Sequence, residues 1–221
     1  MKLKLAYIGF MLCLVSQAQT ISFAPGINYG RFYDLSPNEG HFHAEYKPQV
    51  GFCFGVEIKE IKIDTLIKIG FALNYQNYGG SFLVRNGGMG SSISHEGTVS
   101  QGRLGIEFYP FNFRFFKHLR LRVGTSMNIL LHKNLSGIKR WWYMGTPPNH
   151  GTMELTKLDN FMRPITWGAH ANIGYEFEIG KIVIEPRYAF YTSFYSEFSE
   201  IQANTKSMRH TLQLAVGYRL K

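Results

Sequence analysis

The sequence predicts an all-β fold, an eight-stranded antiparallel transmembrane β-barrel of the outer-membrane type that follows an N-terminal signal peptide. Apolar residues alternate with small or polar ones in eight segments, the polar positions hold glycine and charges of both signs, and short connections alternate with long ones. The mean hydropathy is only −0.14, and no stretch after residue 18 reaches the roughly 20 apolar residues that a membrane helix needs. The sequence therefore excludes membrane helices after residue 18. It does not exclude membrane-spanning strands, because apolar and polar residues alternate in them and their mean hydropathy is low.

Residues 1–18 are predicted to be a cleaved signal peptide, and the barrel domain is predicted to cover residues 19–221. Two lysines precede an apolar run over residues 5–15, and Ser16-Gln17-Ala18 supplies the small residues of a cleavage site. Lipoprotein processing at Cys13 is the alternative, which the preceding leucine disfavours. Cleavage leaves Cys53 as the one cysteine of the mature sequence, and this excludes an intrachain disulfide.

The first four predicted strands cover residues 21–29, 50–58, 67–76 and 103–108. Successive side chains of a strand point to opposite faces, so the apolar residues at every second position form one face. Proline 25 removes a ladder donor and is expected near a bulge or a strand end. The alternating residues are Ile21, Phe23, Pro25, Ile27 and Tyr29; Val50, Phe52, Phe54, Val56 and Ile58; Ile67, Ile69, Phe71, Leu73 and Tyr75; and Leu104, Ile106 and Phe108.

The last four predicted strands cover residues 119–131, 165–177, 182–190 and 211–220. Proline 186 has the same consequence in the seventh strand as proline 25 has in the first. None of the eight apolar faces carries a charged residue, and aromatic residues lie toward strand ends, as in an interfacial girdle. The alternating residues are Leu119, Leu121, Val123, Thr125, Met127, Ile129 and Leu131; Ile165, Trp167, Ala169, Ala171, Ile173, Tyr175 and Phe177; Ile182, Ile184, Pro186, Tyr188 and Phe190; and Leu212, Leu214, Val216, Tyr218 and Leu220.

The opposite faces combine glycine with nearly balanced charges, which suits a narrow lumen. A soluble β-sandwich, the alternative, would expose a face rich in Lys, Glu and Thr. Because side chains only just fill an eight-stranded barrel, we expect a structural ion-pair network, with a conducting path as the alternative. Glu185 and Arg187 are expected to pair with Glu57, Glu107 or Arg120. The predicted network comprises Glu57, Lys68, Arg103, Glu107, Arg120, Arg122, Glu176, Glu185, Arg187 and Arg219.

The connections between predicted strands alternate in length. Those after the even-numbered strands cover residues 59–64, 110–118 and 178–181, and those after the odd-numbered strands are longer. Outer-membrane barrels combine short periplasmic turns with long external loops, so the longer connections are expected outside the cell. The predicted external loops cover residues 34–47, 79–97, 132–163 and 193–207.

The longest predicted external loop contains a basic pair followed by three aromatic residues. The cations would meet phosphates of lipopolysaccharide while the aromatic rings lie at the membrane interface, and an extension of the aromatic girdle is the alternative. Single-stranded nucleic acid could also meet this pattern, but the secretion signal argues against it. The predicted contact residues are Lys139, Arg140, Trp141, Trp142 and Tyr143.

Two further groups of residues have types that could carry chemistry. The first, a candidate metal site, is His41, His43 and Glu45. The second, a candidate hydrolytic group, is Ser193, Ser196, Glu197 and His210. The first lacks a further ligand that the sequence places nearby, and the second lacks a nucleophile motif. We therefore predict a protein without a metal, a cofactor or catalytic residues.

Four short segments, spread over the predicted barrel, carry a family resemblance. They are GIEFYPFN at 105–112, LRVGTS at 121–126, IEPRY at 184–188 and VGYRLK at 216–221. With them the chain resembles the PorT-like outer-membrane β-barrel family over roughly the whole of residues 19–221. The resemblance implies an eight-stranded barrel in the outer membrane, and some members of the family are similar to components of a protein-secretion pathway.

The expected function is that of a non-enzymatic integral protein of a Gram-negative outer membrane. Its barrel would anchor and present the external loops, with a link to protein secretion or to envelope integrity. The expected partners are outer-membrane lipid, lipopolysaccharide and other envelope proteins. A narrow channel for ions or small solutes is the first alternative, and a lipid-modifying enzyme is the second.

Overall fold

A computed structural model describes residues 20–34, 42–62, 68–88, 90–145, 149–158, 161–199 and 205–220. The predicted signal peptide lies outside these ranges. Among the described residues, no helix is long and apolar enough to cross a membrane. The strands are β1 (Thr20–Phe23), β2 (Gly26–Asp34), β3 (Phe42–Lys62), β4 (Lys68–Gly88), β5 (Ser91–Phe115), β6 (Leu119–Tyr143), β7 (Asn149–Glu154), β8 (Ile165–Tyr175), β9 (Phe177–Ile179), β10 (Ile182–Ser193) and β11 (Thr205–Arg219), and a 3₁₀ turn covers Leu155–Lys157.

The strands close into one antiparallel barrel. From β2 the neighbours follow in the order β3, β4, β5, β6, β8, β10 and β11. Because β11 pairs with β2 as well as with β10, the ring is closed. β1 continues the line of β2, β9 continues β8, and β7 adds to β6 outside the ring. The barrel therefore has eight staves, and the predicted fold class is confirmed.

Four neighbouring strands are longer than the others. β3 and β4 have 21 residues and β5 and β6 have 25, whereas β2, β8, β10 and β11 have 9, 11, 12 and 15. The expected loop over residues 79–97 is wrong, because β4 and β5 stay paired up to Gly88 and Ser91. The expected loops at 34–47 and 132–163 are likewise partly strand, since β3 begins at Phe42 and β6 ends at Tyr143. We call the projecting parts of β3–β6, together with β7, the external sheet.

The polarity of the two strand faces inverts where the long strands leave the ring. In β4 the side chains continue to alternate, so each face can be followed along this strand, whereas the pairing of β3 with β4 and of β5 with β6 contains a register shift there. The inward residues of β4 change from Ala72, Asn74 and Gln76 to Tyr78, Phe82 and Val84. The outward residues change from Phe71, Leu73 and Tyr75 to Asn77, Ser81 and Arg85. A search for one apolar face per strand therefore ends at the inversion, which is why the sequence predicted loops there.

An apolar core lies on the inner side of the external sheet. Side chains from the long strands meet residues that follow the 3₁₀ turn and residues that follow β10. The Phe82 and Phe161 rings lie 5.7 Å apart, and the Phe32 and Phe198 rings lie 5.0 Å apart. This core lies at the end of the barrel from which the external sheet projects. It consists of Phe32, Tyr78, Phe82, Val84, Val99, Leu135, Leu155, Phe161, Met162 and Phe198.

Both prolines lie at interruptions of the hydrogen-bonded wall. Pro25 separates β1 from β2. Pro186 lies within β10 opposite the break between β8 and β9, because pairing with β8 stops at Arg187 and pairing with β9 resumes at Ile184. A residue without an N–H loses little at such positions. The expectation that the prolines lie at strand ends or irregularities agrees with this placement.

Candidate functional site

The centre of the lumen holds a compact cluster of ionised side chains. The Arg122 guanidinium bonds both Glu57 and Glu185, and Lys59 bonds Glu185. Arg187 Nη1 lies 2.5 Å from Glu57 Oε2. No side chain of these five is more than 4% exposed. Because the groups are paired, their burial avoids the large cost of an isolated charge in a water-free interior.

A second cluster lies nearer to the end of the barrel with short turns. Arg120 Nη2 lies 2.8 Å from Glu176 Oε2 and also bonds Glu60. Lys68 Nζ donates to Glu60 at 3.1 Å. Arg120, Glu176 and Lys68 were expected in the network, whereas Glu60 was not named. It occupies a bulge with a φ of 57°, which shifts its side chain onto the lumen face and breaks the simple alternation.

Arg219, like Lys68, lies at the rim of the short-turn end, where both side chains are 32% exposed. Its guanidinium bonds Glu178 at 2.6 Å, and the two side chains are 32% and 29% exposed. The hydrogen bond from Arg219, together with one from Arg114, lowers the pKa of Glu178 from 4.5 to about 2. This pair closes the short-turn end at the surface and does not belong to the buried lumen.

A third cluster ties the lumen to the apolar core. Arg103 Nη2 lies 2.9 Å from Glu197 Oε2, and both side chains are fully buried. The Tyr78 hydroxyl donates to Glu197 at 3.3 Å, and Ser207 also donates to this carboxylate. Glu197 follows β10 in a segment without strand structure. The carboxylate therefore fastens that segment over the barrel.

Arg209 is a buried cation that lies against two aromatic rings. Its guanidinium carbon lies 3.8 Å from the Tyr191 ring centroid and 4.6 Å from that of Tyr78, and Nη2 donates to Asn128 at 3.2 Å. Two aromatic faces stabilise the cation by cation–π attraction. Arg209 was not predicted as a network residue, although its odd number places it on the same face as Thr211 and Gln213.

The expected partners of Glu185 and Arg187 are only partly brought together. Arg187 meets Glu57, but Arg120 lies in the second cluster. Glu107 accepts a hydrogen bond from Tyr109 and lies 3.3 Å from His170 Nδ1, away from Glu185. Within the described ranges the buried charges are six cations and six carboxylates, so the lumen is neutral as a whole. They are Lys59, Arg103, Arg120, Arg122, Arg187 and Arg209, and Glu57, Glu60, Glu107, Glu176, Glu185 and Glu197.

The basic and aromatic run at 139–143 lies far along the external sheet. β6 pairs with β8 only as far as Ile129, and at about 3.3 Å per residue Trp141 follows roughly 40 Å of strand later. Arg140 forms an exposed 3.2 Å pair with Glu96, and Trp142 is 41% exposed. Trp141 packs beside Gly151 of β7. These residues therefore belong to the sheet surface and not to a girdle at the rim of the ring.

The outward side of the external sheet carries a polar groove of about 390 Å³. Thr98 Oγ1 and Ser136 Oγ lie 2.7 Å apart across β5 and β6. Hydroxyl and amide groups from the four neighbouring strands β3–β6 point the same way, because register-paired residues share a face. The groove is lined by Pro48, Gln49, Gly80, Ser81, Thr98, Val99, Ser100, Asn134 and Ser136.

Neither candidate for chemistry is assembled by the described residues. His43 Nε2 and Glu45 Oε1 lie 3.0 Å apart on the exposed face, His41 lies outside the described ranges, and no group of three potential metal ligands occurs within those ranges. Glu197 is bonded to Arg103. His210 instead bonds Tyr188 on the outward face of the barrel, so the serine–histidine–glutamate combination does not form.

No family model matches the chain. Over 85 residues it is 36% identical to Mediator of RNA polymerase II transcription subunit 14 of Scheffersomyces stipitis. This match covers 38% of the chain and the chain spans 8% of that protein, so it assigns no family.

Among solved structures, the chain is similar to Neisserial surface protein A at 8% identity, with 90% of this chain and 97% of that chain covered and a TM-score of 0.42. It is similar to the attachment invasion locus protein of Yersinia pestis at 12% identity, with 91% and 99% covered and a TM-score of 0.36. It is similar to the outer membrane protein OprG from Pseudomonas aeruginosa at 8% identity, with 92% of this chain and 97% of that chain covered and a TM-score of 0.37. With TM-scores this low, the fold assignment rests on the closed ring of strands and not on these similarities.

Proposed function

We propose that this protein is an integral outer-membrane protein whose filled barrel anchors the external sheet and presents it outside the cell. The inversion of face polarity along β3–β6 carries the proposal. In the ring the outward side chains are apolar, with Val50, Ile27 and Leu212 each more than half exposed, whereas in the external sheet most of them are polar, with Ile138 and Trp142 as exposed exceptions. Each long strand therefore meets hydrocarbon in its ring part and water in its external part.

The dimensions and closure of the ring support insertion into a bilayer. A tilted strand needs about 9–11 residues to cross the hydrocarbon core, and the shorter strands β2 and β8 have 9 and 11. A closed ring also pairs its backbone groups, which hydrocarbon requires because an unpaired group costs several kcal/mol there. An exposed apolar belt of this extent in water would instead promote association.

The buried ion pairs support an anchoring role over conduction. Each charged group of the central cluster has an oppositely charged partner, and the side chains are almost inaccessible to water. The Arg103–Glu197 pair and the apolar core cover the opposite end. On this proposal the barrel is a plugged, non-enzymatic support, and binding is left to the external sheet with its polar groove.

The orientation follows from the difference between the two ends. Outer-membrane barrels have short periplasmic turns and longer external parts, so the external sheet lies outside and the short turns, such as 116–118, lie in the periplasm. The resemblance to the PorT-like family adds the proposal that the partner of the external sheet is an envelope or secretion component. Lipopolysaccharide remains the proposed lipid partner.

Electrophoresis of outer-membrane fractions with and without boiling tests the barrel. We expect the unboiled protein to migrate differently, since a folded barrel resists detergent, and no stepwise conductance in planar bilayers. Identical mobility would contradict the barrel in the membrane, and steady unitary currents would contradict the plugged lumen. An unchanged lipid A mass on expression is expected for a non-enzymatic protein.

Labelling of intact cells tests the orientation. Ser136→Cys should react with a membrane-impermeant maleimide, because Ser136 lines the outward groove. Lys117→Cys, on an exposed short turn, is the matched control and should react only after the outer membrane is permeabilised. Cys53 is 3% exposed, so the parent protein should stay unlabelled. The reverse labelling order would refute the orientation.

A further inference from the structure

The lipid-facing wall of the ring carries an apolar groove that the anchoring role does not explain. Its volume is about 840 Å³. It crosses five neighbouring staves, a distance of about 19 Å at 4.8 Å between strands. The residues that line it on the outward face are Pro25, Ile27, Leu119, Ile173, Tyr175, Pro186, Tyr188, Leu212 and Leu214, with Gly26, Gly174, Arg187 and Gln213 contributing to its floor.

Two parallel rows of side chains form the groove. In one row Ile173, Tyr188, Leu212 and Ile27 face each other in direct register across four staves. The next row toward the short turns contains the two prolines on either side of Leu214, which is paired with Pro186 and donates its N–H to the Pro25 carbonyl. The proline rings are shorter than tyrosine or leucine, so the wall recedes along the second row.

The groove reaches the short-turn end of the barrel at Leu119, the first residue of β6. The paired rows run across the strands, and because strands tilt by about 45° in a membrane, the groove runs obliquely from that interface toward the bilayer centre. Its lower end meets Tyr175, whose ring stacks on His118 at a centroid distance of 5.4 Å. The groove therefore begins beside the turn 116–118.

That turn has the composition of an interface anchor for a lipid headgroup. Phe116 is 89% exposed. Lys117 is exposed and lines an open polar pocket at the short-turn end together with Glu60 and Glu178, and none of the ion pairs among the described residues includes it. A cation of this kind at the interface attracts a phosphate.

We propose that the groove binds one acyl chain of a phospholipid from the periplasmic leaflet, whose phosphate lies against Lys117. This inference rests on the proposed membrane insertion and adds a defined lipid site to it. The apolar groove begins beside the turn that carries Lys117, so a single lipid molecule can reach both, with its chain in the groove and its phosphate at the turn. A lipid elsewhere around the ring would contact the apolar wall but neither the groove nor Lys117.

Native mass spectrometry of the detergent-purified, delipidated protein tests the site. The probe is dioleoyl phosphatidylglycerol, and we expect one adduct that persists at low lipid concentration. Leu214→Trp fills the groove and should weaken binding about tenfold, which corresponds to about 1.4 kcal/mol. Lys117→Gln should weaken binding less, because salt partly screens the attraction between an exposed lysine and the lipid phosphate. Glycerophosphoglycerol, which lacks acyl chains, should not bind.

Leu73→Trp is the matched control, since Leu73 and Leu214 are lipid-facing leucines that are 51% and 48% exposed and only Leu214 lines the groove. Equal affinities of the two tryptophan variants would overturn the proposal. Ile27→Trp serves as a second groove variant if Leu214→Trp does not fold. Heat-modifiable mobility of the same samples separates the two claims: its absence in the parent protein would refute membrane insertion and this site with it, whereas its presence with equal affinities refutes the site alone.

Discussion

The ring and the external sheet are built from the same four strands, yet their two faces exchange polarity. In the ring, Leu73 faces outward and Asn74 inward; beyond it, Ser81 faces outward and Phe82 inward. The pairing of β4 with β5 is continuous across this change, whereas the pairs β3–β4 and β5–β6 each contain a register shift there. The comparison shows that alternation specifies which residues share a face, whereas the surrounding solvent determines which face is apolar.

The strongest way to break the comparison is to remove a charge from the ring. Glu57→Ala should destabilise the folded barrel by about 3–5 kcal/mol, because Arg122 and Arg187 lose a buried partner. The measurement is urea unfolding in detergent or lipid vesicles. Glu45→Ala removes a carboxylate from an exposed pair of the external sheet and is expected to leave the midpoint unchanged. A similar shift for both variants would contradict a buried network.

The external sheet should depend on its apolar core instead. Phe198→Ala should destabilise the closed arrangement of the segment after β10 by about 3 kcal/mol through lost packing and a cavity. Faster proteolysis within that segment is the measurement, with heat-modifiable mobility of the barrel retained. Phe194→Ala is the control, since Phe194 is 47% exposed. Loss of the whole barrel in Phe198→Ala would mean that the two regions are not separable.

A pair of lysine substitutions sharpens the position of the inversion. Leu73→Lys should cost about 2 kcal/mol, because a charge on the lipid side near the middle of a membrane barrel is destabilising. Ser81→Lys, on the same face of the same strand, should have almost no effect on unfolding in lipid vesicles. If both substitutions are neutral, the outward face of β4 does not meet hydrocarbon at Leu73.

The smallest expected effect concerns the rim. The pKa of Glu178 is lowered from 4.5 to about 2 by Arg219 and Arg114. Its contribution to stability is therefore present above pH 4.5 and lost as the pH falls from 4.5 toward 2, and for a partly exposed pair it should not exceed about 1 kcal/mol. Glu178→Gln should remove this part of the pH dependence in unfolding titrations. An unchanged acid profile would show that the pair contributes nothing.

The ring was predictable because each stave keeps one environment on each face. The segments around Ile27, Phe54 and Leu214 were located by alternation alone, and the lumen face of Glu57 and Arg122 followed from the same rule. The external sheet was not predictable in this way, because its inverted faces and polar exterior resemble a loop in composition. Glu197 and the bulged Glu60 were not predicted as members of the ion-pair network. The position of Glu197 depends on a folded segment and that of Glu60 on a register shift, and local alternation encodes neither.

The seam between β2 and β11 has a consequence for assembly. It pairs Asp34 with Thr205 and Gly26 with Gln213, so the first and last staves can join only after the intervening chain has found its place. Pairing over such a separation is entropically costly and slow. Until β2 and β11 pair, two strand edges expose unpaired amides and carbonyls to hydrocarbon. We therefore expect a late, rate-limiting closure during biogenesis, and an assembly factor that temporarily occupies one edge would accelerate it.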